Sequence, residues 1–418
     1  MVFSVEATRH RFPSLHRPAA SGKLPVFFDN PAGTQVPESV ISAVREYYET
    51  MNANSGGAFA TSERSDAMVA ATRAKMADFL HAPSPKEIVF GANMTTLNFA
   101  LSRAIGKTLK PDAEIVLTRM DHDANVSPWL WLAADLGLEV RWVDIDPSDC
   151  TLDLGSLEAA LSEKTGIVAT VHASNAVGTI NPVRQIAEMA HAAGALHVVD
   201  AVQSAPHVPI DVQAIGCDFL LCSAYKFFGP HQGILWGRYE LLESLPAYKV
   251  RPSKDVPPYR WETGTPAFEL INGIGAAVDY LGSYGEDGAS DSRFPGIEGR
   301  ALQFKRAMTR LQAYERELVR HLLDVLQAKP GLHIAGITDA DRLDLRVPTV
   351  VFTLDGYTAY EVATRLAADD IYVWDGDYYA QEIMARLGHA EHGMVRVGLA
   401  HYNTHDEIER LAESLRRL

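Results

Sequence analysis

The chain has few cysteines, no long apolar run and fewer basic than acidic residues, and each shortage excludes a class of protein. Three cysteines in 418 residues, Cys150, Cys217 and Cys222, cannot form a disulfide framework, and they fit a reducing compartment. No stretch approaches the roughly 20 apolar residues of a membrane span. Residues 1–18 are interrupted by arginines and histidines and lack the apolar centre of a signal peptide. We therefore expect a cytoplasmic protein.

The charge balance narrows the set of partners. Lysine and arginine number 38 against 53 aspartates and glutamates, so the net charge is −15. This balance argues against a nucleic-acid partner and against an anionic membrane surface. A content of 47% hydrophobic and 22% charged residues is typical of a globular protein that has a large core. We expect a small-molecule ligand rather than a nucleic acid or a membrane.

The order of apolar runs predicts an α/β architecture. Between about residues 85 and 235, short apolar runs alternate with amphipathic stretches, which is typical of βα units and a mostly parallel sheet. A polar, glycine-rich stretch at 283–300 is the expected domain boundary. A long helix and further strands follow it. We predict a large domain of residues 26–285 and a smaller α/β domain formed by residues 1–25 and 286–418.

One lysine and one aspartate stand at the ends of two expected strands. Lys226 follows the apolar run 219–221 and precedes the chain-breaking pair Gly229-Pro230, while Asp200 ends the earlier run 196–199. A lysine at the end of a buried strand is costly unless its amine is used. Pyridoxal 5'-phosphate (PLP) chemistry needs an amine that forms a Schiff base and a carboxylate that keeps the pyridine nitrogen protonated. The pair therefore indicates a PLP enzyme.

Other expected strands also end in polar residues. In open α/β sheets, ligands bind beyond the carboxyl ends of the strands. The turn Gly91–Thr96 is built of small residues whose free N–H groups suit a phosphate. The remaining polar strand ends are Asp121–Asn125, Ser174-Asn175, Gln203 and Ser223. These groups are suited to one shared ligand.

With Asp29–Gly33 near the N-terminus and Arg396 and Tyr402–Thr404 near the C-terminus, these motifs resemble the class V aminotransferase superfamily. The resemblance covers nearly the whole chain and is closest to the cysteine desulfurase-like branch. It implies fold-type I of the PLP enzymes, with a large domain that has a mostly parallel sheet and a smaller α/β C-terminal domain. It also implies an amino-acid substrate and a homodimer with shared active sites.

The resemblance implies a role for each matching residue. Lys226 would be the Schiff-base lysine, Asp200 the partner of the pyridinium nitrogen, and His122 the residue that stacks on the cofactor ring. Arg396 would grip the substrate α-carboxylate, a bidentate task that suits a guanidinium. The other implied cofactor contacts are Gln203 at the phenolic oxygen, Asn175 between cofactor and substrate, Met94, Thr95 and Ser223 at the phosphate, and Thr265 at the phosphate of the neighbouring subunit.

The sequence departs from this branch in the expected substrate pocket. Tyr379 stands at the position of the nucleophilic cysteine, and Trp374 stands where an arginine is expected. A phenol cannot replace a thiolate as a persulfide carrier, because that chemistry needs a polarisable sulfur of low pKa. We therefore predict that the enzyme does not form a persulfide and that Tyr379 and Trp374 line the substrate pocket.

The motifs leave the final reaction open. A lyase that performs β-elimination, for instance carbon–sulfur cleavage, is the favoured prediction because the desulfurase branch handles substrates with β-sulfur. An aminotransferase is the next alternative, followed by an epimerase in which Tyr379 or Tyr225 is a second acid. A non-catalytic regulator is least favoured, since Lys226 and Arg396 are both present.

Two histidine clusters could suggest a metal. His122 lies between two aspartates, and His389 and His392 flank Glu391. Residues adjacent in sequence seldom point at one ion, and a solvated loop is the simpler interpretation of residues 389–392. We therefore predict no metal site.

Overall fold

The computed structural model describes residues 3–286 and 290–418. Its helices are α1 (Val5–Arg9), α2 (Glu38–Thr50), α3 (Ala60–Leu80), α4 (Met94–Gly106), α5 (Ser127–Leu136), α6 (Leu154–Ala160), α7 (Val183–Ala192), α8 (Val212–Ile215), α9 (Tyr239–Ser244), α10 (Phe268–Gly282), α11 (Gly299–Gln327), α12 (Ala359–Ala368), α13 (Gln381–Arg386) and α14 (His405–Arg416). Its strands are β1 (Val26–Phe27), β2 (Ile88–Gly91), β3 (Glu114–Thr118), β4 (Glu139–Val143), β5 (Ile145–Asp146), β6 (Thr151–Leu152), β7 (Thr165–Val171), β8 (Leu196–Asp200), β9 (Phe219–Ser223), β10 (Gly233–Gly237), β11 (Leu332–Ala335), β12 (Thr349–Leu354), β13 (Ile371–Tyr372), β14 (Trp374–Gly376) and β15 (Met394–Gly398).

A seven-stranded sheet forms the centre of the larger lobe. Its strand order is β2-β10-β9-β8-β7-β3-β4, and β10 is antiparallel to both of its neighbours while the other pairs are parallel. Every residue of β3 and β9 is buried. Strands covered on both faces have near-continuous apolar sequences, because neither face meets water. The predicted α/β class with a mostly parallel sheet is confirmed.

Helices cover both faces of this sheet. One core cluster contains Leu101 of α4, Trp129 of α5 and Leu117 of β3. Another contains Val278 of α10 and Leu220 of β9, together with residues of α3 and α11. The sheet is thereby held rigid between two layers, and its strand ends become fixed points for functional side chains.

The smaller lobe is built on an antiparallel sheet of order β11-β12-β15-β14. Near the start of the chain, β1 pairs in parallel with β13, with Val26 opposite Ile371. The segment after β1 therefore runs alongside the C-terminal lobe before it enters the larger one. The predicted domain limits remain a prediction, and residues 287–289 of the expected boundary lie outside the described residues.

A membrane span was not expected from the sequence. Across the two described ranges, no helix combines the length and the apolarity that crossing a bilayer requires.

Candidate active site

A cavity of about 740 Å³ opens beyond the carboxyl ends of β7, β8 and β9, whose last residues Val171, Asp200 and Ser223 line it. This is the edge of the sheet at which ligands of open α/β folds bind. The structure brings together here all of the predicted site residues except Thr265: Met94, Thr95, His122, Asn175, Asp200, Gln203, Ser223, Lys226, Trp374, Tyr379 and Arg396.

Lys226 is the most buried amine of the cavity wall, with 8% of its surface exposed. Its ammonium donates to the backbone carbonyl of Pro31. Burial, and then the positive charge of Arg396, lower the pKa of Lys226 to about 7, against the opposing charges of Asp200 and Asp29. A lysine with a pKa near 7 is about half neutral at neutral pH, and only the neutral amine is a nucleophile or a base.

Asp200 ends β8 beneath this amine. The backbone N–H of Val202 donates to its Oδ1 at 2.8 Å. Burial raises the pKa of Asp200 to about 6, while this hydrogen bond and the charge of Lys226 act in the opposite direction. A cationic nitrogen placed against Asp200 would favour its charged form and lower that pKa. Asp200 is therefore suited to hold a protonated ring nitrogen.

A second carboxyl group, that of Asp121, lies behind the first. It accepts hydrogen bonds from Asn125 Nδ2 at 2.6 Å and from the Thr118 hydroxyl. Burial, with a further contribution from the negative charge of Asp200, raises the pKa of Asp121 to about 8. Asp121 is therefore mostly neutral at pH 7, and Asp200 carries the negative charge of the pair. The sequence pattern includes Asp121 in the polar strand end 121–125 but gives it no role of its own.

His122 presents a neutral ring to the cavity. Its Nδ1 accepts from the backbone N–H of Ala124 at 2.9 Å, which assigns the ring proton to Nε2. Burial, and then the charges of Lys226 and Arg396, lower the pKa of His122 to about 4. The imidazole ring stacks against Tyr379, with ring centroids 5.6 Å apart. A flat, uncharged ring suits the face of a planar cofactor.

The N-terminus of α4 lies at the cavity and is suited to an anion. The Asn93 side chain caps this helix by accepting from the backbone N–H of Thr96 at 2.8 Å, and the N–H of Met94 points to Ser223 Oγ at 3.4 Å. Gly233 of β10 lies directly beneath, since a Cβ there would lie 2.3 Å from the carbonyl carbon of Asn93. Helix N-termini bind phosphate through free N–H groups and the helix dipole.

Arg396 and Asn175 close the opposite side. The Arg396 Nη1 donates to the Asn175 carbonyl at 2.9 Å, and the guanidinium lies 4.2 Å above the ring of Tyr378. Arg396 Nε and Asn175 Oδ1 are buried and have no hydrogen-bond partner among the described residues. A buried guanidinium with unused donors is suited to a carboxylate ligand.

The loop after β14 carries two adjacent tyrosines. Tyr378 and Tyr379 both have positive φ, 55° and 58°, a conformation that costs energy for residues with side chains. The loop is held by bonds from Asp123 N to Tyr379 O at 2.7 Å and from Tyr379 N to Asp377 Oδ1 at 2.9 Å. The side chain of Tyr379 is thereby kept at the cavity mouth, where it is 68% exposed.

Thr265 lies outside this cavity. It is exposed, in a segment that begins at Glu262, whose side chain is 8% exposed. Arg73 Nη1 binds the Glu262 carboxylate at 2.8 Å, and the backbone N–H of Phe90 donates to the same carboxylate at 2.9 Å. The segment is therefore anchored to the sheet while Thr265 faces outward.

Sequence reasoning did not identify the backbone carbonyl of Pro31 as a hydrogen-bond acceptor for residues of the cavity wall. Its carbonyl accepts from Gln203 Nε2 at 2.6 Å as well as from Lys226. A backbone acceptor leaves no mark in side-chain patterns. Trp131 of α5 was not predicted as a site residue. The one sequence signal for it was its position, less than two helical turns after the polar run 121–125.

The donor set fits PLP. A buried amine of lowered pKa, a buried carboxyl group, a flat neutral ring and a helix N-terminus surround one cavity. These groups match the aldehyde, the pyridine nitrogen, the ring face and the phosphate of the cofactor, in that order.

Comparisons with known proteins agree with this fit. The family model described as aminotransferase class-V matches residues 26–292 and 299–411. A probable cysteine desulfurase of Streptomyces coelicolor is 34% identical, over 99% of this chain and 97% of its own, and one of Synechocystis is 35% identical, over 99% and 95%. The apo structure of a cysteine desulfurase from Thermococcus onnurineus has a TM-score of 0.84 at 26% identity and covers 100% of both chains. The chain belongs to the class V aminotransferase family and is a PLP-dependent enzyme.

Proposed function

We propose that the protein is a lyase that cleaves the carbon–sulfur bond of an amino-acid substrate by β-elimination and releases a thiol rather than a persulfide. One observation carries the proposal: the phenol of Tyr379 stands at the cavity mouth, and all three cysteines of the chain are buried and absent from the cavity wall. Burial raises the pKa of Cys150 to about 11 and the pKa values of Cys217 and Cys222 further still. A persulfide carrier needs an accessible thiolate.

Different residues bind the substrate and the cofactor. Arg396 binds the α-carboxylate of the substrate through its unused donors. His122 and the N-terminus of α4 position the cofactor, and Asp200 keeps a proton on the ring nitrogen. The bound PLP supplies an electron sink that acidifies the substrate Cα.

Lys226 then moves the proton. Its neutral amine, favoured by the pKa near 7, accepts the proton from Cα. The electron pair of that bond forms the Cα–Cβ double bond, and the pair of the Cβ–S bond leaves on sulfur. The thiolate takes a proton, for which the Tyr379 hydroxyl is a donor at the cavity mouth. Hydrolysis of the remaining enamine gives a keto acid and ammonium.

An aminotransferase is the next alternative, with Lys226 returning the proton to the cofactor instead of to Cα. An epimerase is the further alternative, which needs a second acid in the cavity. The Tyr225 ring centroid is 4.6 Å from the Lys226 Nζ, and Tyr225 lines the cavity. Burial raises the pKa of this phenol, which keeps it protonated as an acid.

One experiment separates these reactions. The purified holoenzyme is incubated with S-alkyl cysteines, and thiol, keto acid, ammonium and the substrate enantiomers are quantified. Equal amounts of thiol, keto acid and ammonium support the lyase. Inverted substrate without thiol supports the epimerase, and a keto acid that retains its sulfur supports the aminotransferase. The variant Lys226→Ala should form none of these products, and a protein-bound persulfide after incubation with cysteine would refute the proposal.

We further propose a homodimer with shared active sites in a reducing cytoplasm. Thr265 is exposed, and the preceding segment also exposes Tyr248, Val250, Val256 and Tyr259. Exposed apolar groups along one segment are typical of an interface. The free cysteines are consistent with the compartment.

A further inference from the structure

The mouth of the cavity has a wall of aromatic rings that includes two tryptophans for which no step above has a role. Trp131 of α5 is 61% exposed and Trp374 of β14 is 49% exposed, and both line the cavity with Tyr379. Exposed tryptophans cost hydration energy, and three rings on one opening form a face for a ligand.

Three carboxylates line the same opening. Asp375 lies in β14 and Asp377 in the loop after it, and Asp123 is tied to that loop through the bond from its N–H to Tyr379 O at 2.7 Å. The negative charge of Asp377 acts on His122, whose pKa it raises against the larger lowering effects. The acidic groups and the aromatic rings therefore form one continuous surface.

These carboxylates have no basic counterpart in the wall. Within the described part of the chain, Lys226 and Arg396 are the only lysine and arginine that line the cavity, and His122 is neutral. The lysine is committed to the cofactor and the arginine to the substrate carboxylate. The opening is left with uncompensated negative charge, which a ligand of positive charge would balance.

Independent signs of a ligand lie deeper in the same cavity. Arg396 and Asn175 line the cavity and are at most 5% exposed, and each has a buried polar atom, Nε and Oδ1, without a hydrogen-bond partner among the described residues. An amino acid whose carboxylate satisfies Arg396 would extend its side chain toward the aromatic and acidic mouth.

From this geometry we propose that the side chain of the substrate ends in a cation, such as an ammonium or a quaternary ammonium group, held by Trp131, Trp374 and Tyr379 and by Asp123, Asp375 and Asp377. The inference rests on the proposed lyase function and specifies its substrate class. Aromatic rings attract cations through their quadrupoles, and nearby carboxylates add direct attraction.

The test compares S-substituted cysteines of different charge. S-(2-trimethylammonioethyl)-cysteine and S-(3,3-dimethylbutyl)-cysteine have the same shape, and S-carboxymethyl-cysteine carries the opposite charge. With the holoenzyme we expect kcat/KM for the cation to exceed that of its neutral isostere about 10-fold or more. The anion should be the poorest of the three. Equal values, or a preference for the anion, would overturn the inference and leave the lyase proposal intact.

A binding measurement separates the two proposals. The corresponding thioether propanoates lack the α-amino group and cannot react, yet they keep the carboxylate for Arg396. Their dissociation constants follow from quenching of tryptophan fluorescence in the holoenzyme. Tighter binding of the cationic compound supports the inference even if no thiol is released from any cysteine derivative, and that second result would refute only the lyase.

Asp375→Asn is the informative variant, because Asp123 and Asp377 also accept hydrogen bonds within the wall. It should reduce the ratio of cationic to neutral kcat/KM about threefold or more. Asp355→Asn, an exposed ion-pair partner of His333 in the smaller lobe, is the matched control and should keep the ratio. Equal ratios in the wild type and Asp375→Asn would remove this carboxylate from recognition of the cation and refute the proposed site.

Discussion

The imidazole of His122 and the phenol of Tyr379 stack with centroids 5.6 Å apart and planes inclined by 23°. This contact joins the expected cofactor face to the residue that stands where the family's thiol is expected. The stacking is a second contact, besides the hydrogen bonds of the loop, that holds Tyr379 at the cavity mouth.

Two substitutions of Tyr379 distinguish the contribution of its ring from that of its hydroxyl. Tyr379→Phe keeps the stacking surface and removes the proton donor, so kcat for thiol release should fall about 10²-fold with little change in KM. Tyr379→Ala removes both and should also raise KM. Steady-state assays of thiol release give both constants. A Phe variant with the wild-type kcat would exclude the hydroxyl as the acid.

The pKa of Lys226 sets a pH dependence that can be measured on the protein stripped of PLP. Only the neutral amine reacts with an acylating reagent, so labelling of Lys226 should rise with pH and reach half its maximum near pH 7. An exposed lysine would reach it near pH 10.4. Mass spectrometry of the Lys226 peptide after brief acetylation follows this midpoint.

Two charge changes should move that midpoint in opposite directions. Burial is the main cause of the lowered pKa of Lys226, and the cation of Arg396 adds to it, so Arg396→Met should shift the midpoint to higher pH. Asp29 acts against the lowering, so Asp29→Asn should shift it to lower pH. Shifts of the same sign in both variants would contradict this account.

The close packing of Gly233 against the start of α4 predicts a specific defect. In Gly233→Ala the new methyl would lie 2.3 Å from the Asn93 carbonyl carbon and 2.6 Å from the Met94 nitrogen, so the helix N-terminus must move. PLP affinity should fall about 10-fold, since such termini contribute up to about 2 kcal/mol to anion binding. Absorbance titration of the apoprotein measures it.

Gly237→Ala is the matched control on the same strand. Its methyl would meet the side chains of Phe219 and Leu242 rather than the backbone of α4. We expect lower thermal stability with unchanged PLP affinity. Equal loss of affinity in both variants would mean that β10 acts on the cofactor through stability alone.

Shared active sites predict recovery of activity in hybrid dimers. Lys226→Ala lacks the amine, and Thr265→Asp would bring a negative charge against the phosphate of the neighbouring subunit, so each homodimer should be inactive. Co-expression should restore about a quarter of the wild-type activity, because half of the randomly paired dimers hold one intact site. Recovery would be absent if each subunit built its own site.

The sequence was sufficient to predict those site residues that lie at or just after the ends of strands. Lys226, Asp200 and Asn175 follow buried strands, and the parallel arrangement of those strands brings them to one edge of the sheet. Arg396 comes from a different sheet. Only the family resemblance predicted that Arg396 belongs to the site, because no local sequence pattern shows how the two lobes pack together.

Other parts of the wall could not be predicted for physical reasons. The carbonyl of Pro31 is an acceptor that every residue type offers, so its bond with Lys226 depends on tertiary structure alone. Asp121, just outside the residues that line the cavity, differs from a surface aspartate only through its burial, which raises its pKa to about 8.

The pairing of Val26 with Ile371 constrains when the enzyme can become competent during its biosynthesis. The residues just after β1 include Pro31, which receives the Lys226 ammonium, and Asp29, which bridges to Gly398. Ile371 and Gly398 are synthesised more than 300 residues after their partners Val26 and Asp29. The segment that carries Pro31 therefore lacks these two contacts while the intervening residues, Lys226 included, are made.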